Sequence, residues 1–195
     1  MNETKEYYQN NAQAFFDDTV NADISEQYDR FLKYIPNGGK ILDFGCGSGR
    51  DTKAFLLKGY CVDAIDGSSE LCRLASDYCE ILVKCMDFYD LSDTEKYDGI
   101  WACASLLHIP KNEMPIMLSK MKKALVQNGV IYASFKLGDF EGNRNGRFFS
   151  DVNPDIFDKL ISDVIGLVKI DEWFTEDVRP EKNTTWYNTI LRNIV

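Results

Sequence analysis

Asp43-Phe-Gly45-Cys46-Gly47-Ser-Gly49-Arg50 places a carboxylate at the end of a short apolar run and follows it with three alternating glycines. Ile41, Leu42 and Phe44 are strand formers, and glycine at alternate positions permits a tight turn whose backbone approaches a ligand closely. With the helical pattern that starts at Asp51, this makes a strand, a loop and a helix suited to binding a small cofactor. The choice of cofactor follows from spacing and charge. A dinucleotide loop needs its third glycine three positions after the second, where this chain has Arg50, and no Gly-Lys-Ser/Thr closes a phosphate loop. A carboxylate at Asp43 would repel a pyrophosphate but suits a ligand carrying an ammonium and a sulfonium, as S-adenosylmethionine does.

The motif Asp43-x-Gly45-x-Gly47-x-Gly49 resembles the first motif of the class I S-adenosylmethionine-dependent methyltransferases, and further segments follow in that family's order. Cys61-Val-Asp-Ala-Ile-Asp66 reads as a second strand ending in an acid that can accept both ribose hydroxyls, with Gly67-Ser68-Ser69 turning the chain and capping the next helix. The resemblance implies that Asp87, after Ile81-Leu-Val-Lys-Cys-Met, accepts the adenine amino group and that Phe88 lies beside the ring. It also implies that the segment around Cys103 passes under the methionine part, and that Cys46 and Arg50 in the first loop belong to the cofactor site. The match runs over residues 40–135. Gly-Ser-Gly-Arg-Asp and Ala-Ser-Leu-Leu-His-Ile-Pro are similar to the small bacterial tellurite-resistance-like methyltransferases, a likeness that transfers no tellurium substrate.

Methyl transfer from a sulfonium is an in-line displacement that depends on positioning, and a base is needed only when the acceptor arrives protonated. His108, the one histidine, is the first candidate for a base or an acceptor-orienting group; packing under the Pro110 turn is the alternative. Lys136, Arg144, Arg147 and Arg179 lie in or beside two polar loops and point to an anionic acceptor, unless they are solvated surface charge. Trp186 and Asn188 alternate on the last strand and share a face that walls the pocket or packs in the core. Tyr7, Tyr8 and Phe15 form a lid over the cofactor, as in similar small methyltransferases, or a hydrophobic face against the sheet. Ala102-Cys103-Ala104-Ser105 stands where base methylases of the class carry Asn/Asp-Pro-Pro-aromatic, and there is no Pro-Cys dipeptide. Both absences favour a small-molecule acceptor.

These groups must be held by a sheet. Helical spacing over residues 5–18 and 25–35, with Asn21 and Ser25 as caps, predicts two helices ahead of it. From Lys40 strand and helix alternate: strands ending at Phe44, Ile65 and Val83, one at Ile100, one over 130–135, and helices from Asp51, Glu70 and Asn112, the last ended by Asn128-Gly129. The expected fold is α/β, a doubly wound and mostly parallel seven-stranded sheet closed by an antiparallel hairpin from residues 166–174 and 185–194. Residues 137–147 read as a mobile glycine-rich loop at the carboxyl edge, and Asn153-Pro154 starts another helix. One domain is expected over residues 1–195: a helical cap (1–39), a cofactor core (40–135) and an acceptor-side region (136–195).

With 195 residues, 45% hydrophobic and 13% aromatic, the chain can bury a sizeable core as a monomer or homodimer. A formal net charge of −9 argues against a nucleic-acid partner, and no apolar run is long enough for a bilayer or a signal peptide. A cytoplasmic location follows, with six reduced cysteines and, lacking any Cys-x-x-Cys, no metal site. The rivals are a non-catalytic S-adenosylmethionine sensor and a nicotinamide-dependent oxidoreductase.

Overall fold

The computed structural model of the protein describes residues 2–179 and 183–195. Seven strands form one sheet in the order β3-β2-β1-β4-β5-β9-β8, where β1 is Lys40–Phe44, β2 Cys61–Asp66, β3 Lys84–Cys85, β4 Tyr97–Ala102, β5 Leu125–Lys136, β8 Leu167–Glu176 and β9 Thr185–Asn193. The first five run parallel, and β9 is antiparallel to both β5 and β8. The doubly wound sheet with a closing antiparallel pair is therefore as the sequence predicted.

Alternation along the central strands fills two cores. Leu42, Phe44, Ile100, Ala133 and Phe135 face the helices α6 (Met114–Ala124) and α7 (Pro154–Ser162). Ile41, Trp101 and Tyr132 face α3 (Ser25–Leu32) and α4 (Arg50–Leu57), meeting Tyr28, Phe31 and Phe55. Strands buried on both faces carry apolar residues at every position, which explains their nearly unbroken hydrophobic runs. Trp101 and Tyr132 stack with centroids 3.8 Å apart at the middle of the second core. α5 (Ser69–Cys79) packs beside α4, and its cap is the expected one: Ser68 Oγ accepts from Leu71 N at 3.3 Å.

Several boundaries differ from expectation, each for a local reason. The first helical stretch is two helices, α1 (Asn2–Asn10) and α2 (Ala12–Thr19), because Asn11 leaves helical geometry (φ −118°, ψ 19°) while its Nδ2 donates to Tyr7 O at 2.8 Å. Ile24 stands at the N-cap of α3, and Asp23 Oδ1, not Asn21 or Ser25, accepts from the first-turn amide of Ser25 at 2.9 Å. Ile81 to Val83 lie outside β3, an edge strand of two residues; Val83 N donates instead to Ser76 Oγ at 2.9 Å. Asn128-Gly129 does not end α6, which stops at Ala124; it sits inside β5 with Asn128 at φ 64°.

The segment read as a mobile loop is instead a hairpin of β6 (Glu141–Arg144) and β7 (Arg147–Ser150). Asn145 (φ 51°) and Gly146 (φ 76°) both adopt positive φ, the requirement of the two-residue turn whose twist matches paired strands. Among the described residues no helix is long and apolar enough to cross a membrane.

Gly49 holds φ 80° at the start of α4, and a Cβ there would lie 2.7 Å from Cys79 Sγ and 3.1 Å from Ala75 Cβ on α5. Gly49→Ala should lower stability by about 2–3 kcal/mol, the sum of left-handed strain and overpacking. Urea denaturation measures it; a loss under about 0.5 kcal/mol would mean that α4 and α5 do not need this close approach.

Candidate functional site

β1 and β4 are neighbours from which the chain departs in opposite directions across the sheet, and their carboxyl ends open a crevice at the switch point. A pocket of about 990 Å³ lies there. The loop after β1 forms its floor: Gly45 N and Cys46 N both donate to Ile65 O at 2.9 Å, and Gly45 and Gly47 take φ 84° and 55°. A Cβ on Gly45 would come within 2.6 Å of Ser105 Cβ and 2.9 Å of Phe88 Cζ, so only glycine leaves the crevice open.

Asp66, at the end of β2, lines the pocket. Its Oδ2 accepts from Gly47 N at 3.0 Å and its Oδ1 from Ser68 N at 2.9 Å, leaving a second lone pair on each oxygen. Burial raises its carboxyl above the usual range, against the pull of these amides. Gly67, Ser68, Asp87 and Phe88 line the same end; Asp87 lies past β3, where its Oδ1 accepts from Tyr89 N at 3.0 Å, and Phe88 stacks on Phe44 with centroids 4.3 Å apart.

Asp43 does not reach the pocket wall. It is 1% exposed beneath the loop, where its Oδ2 accepts from Thr52 Oγ1 at 2.6 Å. Burial, and then the Asp51 carboxylate, lift its pKa well above the usual range. The charge argument that pictured a carboxylate facing the ligand is thus corrected: Asp43 lies beneath the loop and is bonded to the first turn of α4. Gly49 likewise packs against α5 and does not line the pocket.

Arg50 and Cys103 do line it. Asp51 accepts Arg50 Nε at 2.6 Å and Nη2 at 3.1 Å, Tyr28 Oη at 2.6 Å and Trp101 Nε1 at 2.7 Å. Burial alone would raise the Asp51 carboxyl, but Arg50 and these donors hold it below its usual range. The Cys103 thiol is pushed up to about 12 by burial and by Asp51, so it stays protonated.

The far end of the pocket gathers residues from distant segments. Tyr8 Oη lies 2.9 Å from His108 Nε2, while His108 Nδ1 lies 2.7 Å from Phe148 O. Burial first, with Arg147 and Lys136 nearby, lowers the imidazole to about 4, so His108 is neutral. Lys136 and Trp186 are cross-strand partners on β5 and β9. Among the described residues Lys136 Nζ and the Arg147 guanidinium form no ion pair; Lys136 sits 4.3 Å from the Phe149 ring centroid and Arg147 4.4 Å from that of Tyr7.

The other predicted cations are committed elsewhere. Arg179 lines the pocket but is held by Asp177 at 2.7 Å and Asp18 at 3.1 Å, and Arg144 is paired with Asp151 outside it. Neither offers a free charge to an acceptor. Asn188 also lines the pocket, yet its Oδ1 accepts from Tyr132 Oη at 2.7 Å and its Nδ2 donates to Thr175 Oγ1 at 3.0 Å.

Tyr7, Tyr8 and Phe15 line the pocket. Sequence reasoning missed what fastens α1 there. Gln9 Oε1 accepts from Ser68 Oγ at 3.0 Å and Ser69 Oγ at 3.1 Å, and Thr4 Oγ1 accepts from Phe148 N at 2.8 Å. It also missed Ser105, which is 4% exposed, lines the pocket and has no partner for its hydroxyl. The segment holding Ser105 was singled out, but nothing in the sequence marks Gln9 or Thr4.

A family described as a methyltransferase domain matches residues 41–129. An uncharacterized methyltransferase of Staphylococcus carnosus (strain TM300) is 26% identical over 122 residues, 58% of this chain, which thus spans about three fifths (59%) of that relative. A Methanosarcina mazei structure named a SAM-dependent methyltransferase superposes with a TM-score of 0.76 at 18% identity, covering 86% of this chain and 98% of that one. The Burkholderia thailandensis 1,6-didemethyltoxoflavin-N1-methyltransferase gives 0.77 at 19% identity, covering 97% and 85%. At these identities the two structures establish a shared fold.

A neutral imidazole thus stands at the end of the pocket, and this has a consequence for stability. A histidine that takes protons at pH 6.5 unfolded but near 4 folded stabilises the folded state above pH 6.5, and that stability drains away as pH falls towards 4. Between pH 7 and 5 the loss is about 2 kcal/mol. Comparing urea denaturation of the wild type with His108→Gln isolates it, because the raised carboxyls of Asp43 and Asp66 act in the opposite direction in both proteins. Equal pH slopes would mean that His108 titrates normally.

Proposed function

We propose that the protein is a cytosolic enzyme that transfers a methyl group from S-adenosylmethionine to a small, anionic acceptor, working as one domain of the small bacterial type that its Ala104 to Pro110 segment resembles. The observation that carries this is one continuous pocket of about 990 Å³ with two chemically distinct ends. One end is the glycine cradle with Asp66 and Asp87; the other holds Lys136 and Arg147, which lack carboxylate partners among the described residues. The volume lies at the top of the range for single-ligand pockets, about 300–1,000 Å³, and so has room for donor and acceptor together. A sensor for the cofactor alone would have no use for the cationic end.

The residues fit the donor. A Cβ would fill the cradle at Gly45, Ser105 Oγ is a buried hydroxyl awaiting a partner, and Asp66 retains lone pairs for ribose hydroxyls. Asp87 and Phe88 would border the adenine, and Gly67, Ser68, Cys46 and Cys103 would shape the wall. Arg50 keeps Nη1 free of hydrogen bonds for a carboxylate. When bound, S-adenosylmethionine supplies a methyl group whose bond to sulfur breaks with the electron pair left on sulfur.

The chain contributes orientation. Lys136 and Arg147 anchor the acceptor's negative charge, Tyr7, Tyr8, Phe149 and Trp186 wall it in, and α1 with the β6–β7 hairpin limits access of water. Holding reactants in line is worth up to roughly 7–11 kcal/mol. A chain with a net charge of −9 favours this small acceptor over a nucleic acid.

The test is to incubate the protein with methyl-labelled S-adenosylmethionine and a pool of acidic cell metabolites and follow label into anionic products. Tight cofactor binding with no labelled product would favour the sensor. Asp66→Ala should weaken S-adenosylmethionine binding by about 1–3 kcal/mol in calorimetry. Lys136→Ala and Arg147→Ala should each raise the acceptor KM about tenfold and leave cofactor affinity unchanged.

A further inference from the structure

We propose that Tyr8 is the catalytic group that takes the acceptor's proton, and that His108 stands behind it as the proton's destination. The inference rests on the methyltransferase reading and adds to it the route by which a protonated acceptor is made nucleophilic.

The hydrogen bonds fix the direction of the relay. Phe148 O can only accept, so the 2.7 Å contact requires the hydrogen on His108 Nδ1. In the neutral ring Nε2 is then the acceptor, and Tyr8 Oη donates to it across 2.9 Å. Both imidazole nitrogens are thereby occupied, and an acceptor in the pocket meets the tyrosine hydroxyl, not the ring. Tyr8 Oη also accepts from Arg147 Nη1 at 3.4 Å, which leaves one lone pair for a proton from the pocket.

In the step, the acceptor atom forms its bond to the methyl carbon and loses its bond to hydrogen. That proton passes to Tyr8 Oη while the tyrosine's own proton passes to His108 Nε2. The imidazolium that results keeps its Nδ1–H bond to Phe148 O. The positive charge that arrives with the methyl donor ends on the imidazolium, so the net charge of the pocket does not change.

The surroundings tie this relay to the acceptor's charge. The charged groups facing the imidazole are Arg147 from β7 and Lys136 from β5, both cations, which with burial hold the ring neutral. Burial raises the Tyr8 hydroxyl, Arg147 pulls it down, and the Asp66 carboxylate and Tyr7 push it up. An anion seated on Lys136 and Arg147 cancels the repulsion that an imidazolium would meet, so the relay gains its proton affinity when such an acceptor binds. After the product leaves, the two cations again favour the neutral ring and the proton returns to water.

The single histidine makes the test direct, because one imidazole appears in the nitrogen-15 spectrum of the labelled protein. The expected spectrum is that of the Nδ1–H tautomer, and an Nε2–H tautomer would overturn the relay whatever the turnover. The second measurement is the rate of label transfer from S-adenosylmethionine to the acidic metabolite pool. Tyr8→Phe, which keeps the ring packing, should lower kcat by about 10²–10⁴-fold with cofactor affinity within about twofold. His108→Asn should lower kcat and displace its pH profile to higher pH. Tyr8→Phe with kcat within about threefold of wild type would overturn the proposal and leave the methyltransferase reading intact. No label from the wild type would remove both.

Discussion

The buried carboxylate of Asp51 is the point on which the site depends. It accepts two hydrogen bonds from Arg50, one from Tyr28 on α3 and one from Trp101 on β4. Four donors fill its lone-pair sites, which is the condition under which an ionised carboxylate survives at 5% exposure. Removing one partner of such a buried pair typically costs about 3–5 kcal/mol, because the other charge is left uncompensated. Through this one group the first turn of α4 is fixed to the sheet and to the helix covering it.

The same network explains the division of labour between two neighbouring acids. Burial, and then the charge on Asp51, push the Asp43 carboxyl well above its usual range, while Thr52 Oγ1 donates to it from α4. The loop above rests on this contact and presents main-chain donors and an open floor. The carboxylates that line the pocket are Asp66 and Asp87, one or more strands further out, the first held by two backbone amides and the second by one.

The cationic end is assembled differently. Its members come from α1, the turn after β4, β5, β7 and β9, and their contacts span as many as 144 positions of sequence, as from Thr4 to Phe148. Such contacts form only after the sheet is complete, and α1 adds few buried apolar residues of its own. The N-terminal helix is thus the part of the site least secured by the core, whereas the hairpin is anchored by Phe149.

The sequence by itself determined the doubly wound sheet and the glycine cradle, because these rest on local requirements: β-prone runs, positive φ at fixed offsets, acids at strand ends. It also carried the Asn145-Gly146 turn, legible as a hairpin signal though taken for part of a loop. Only the tertiary structure decided which charges are free. Asp43, Arg144 and Arg179 read like ligand-binding groups in one dimension, yet folding pairs them with Thr52, Asp151 and Asp177, while Lys136 and Arg147 are left facing the pocket. It decided equally that Tyr8 covers His108 across 100 positions of chain. A residue's type states what chemistry it offers; whether that chemistry is spent inside the fold depends on partners that sequence spacing does not record.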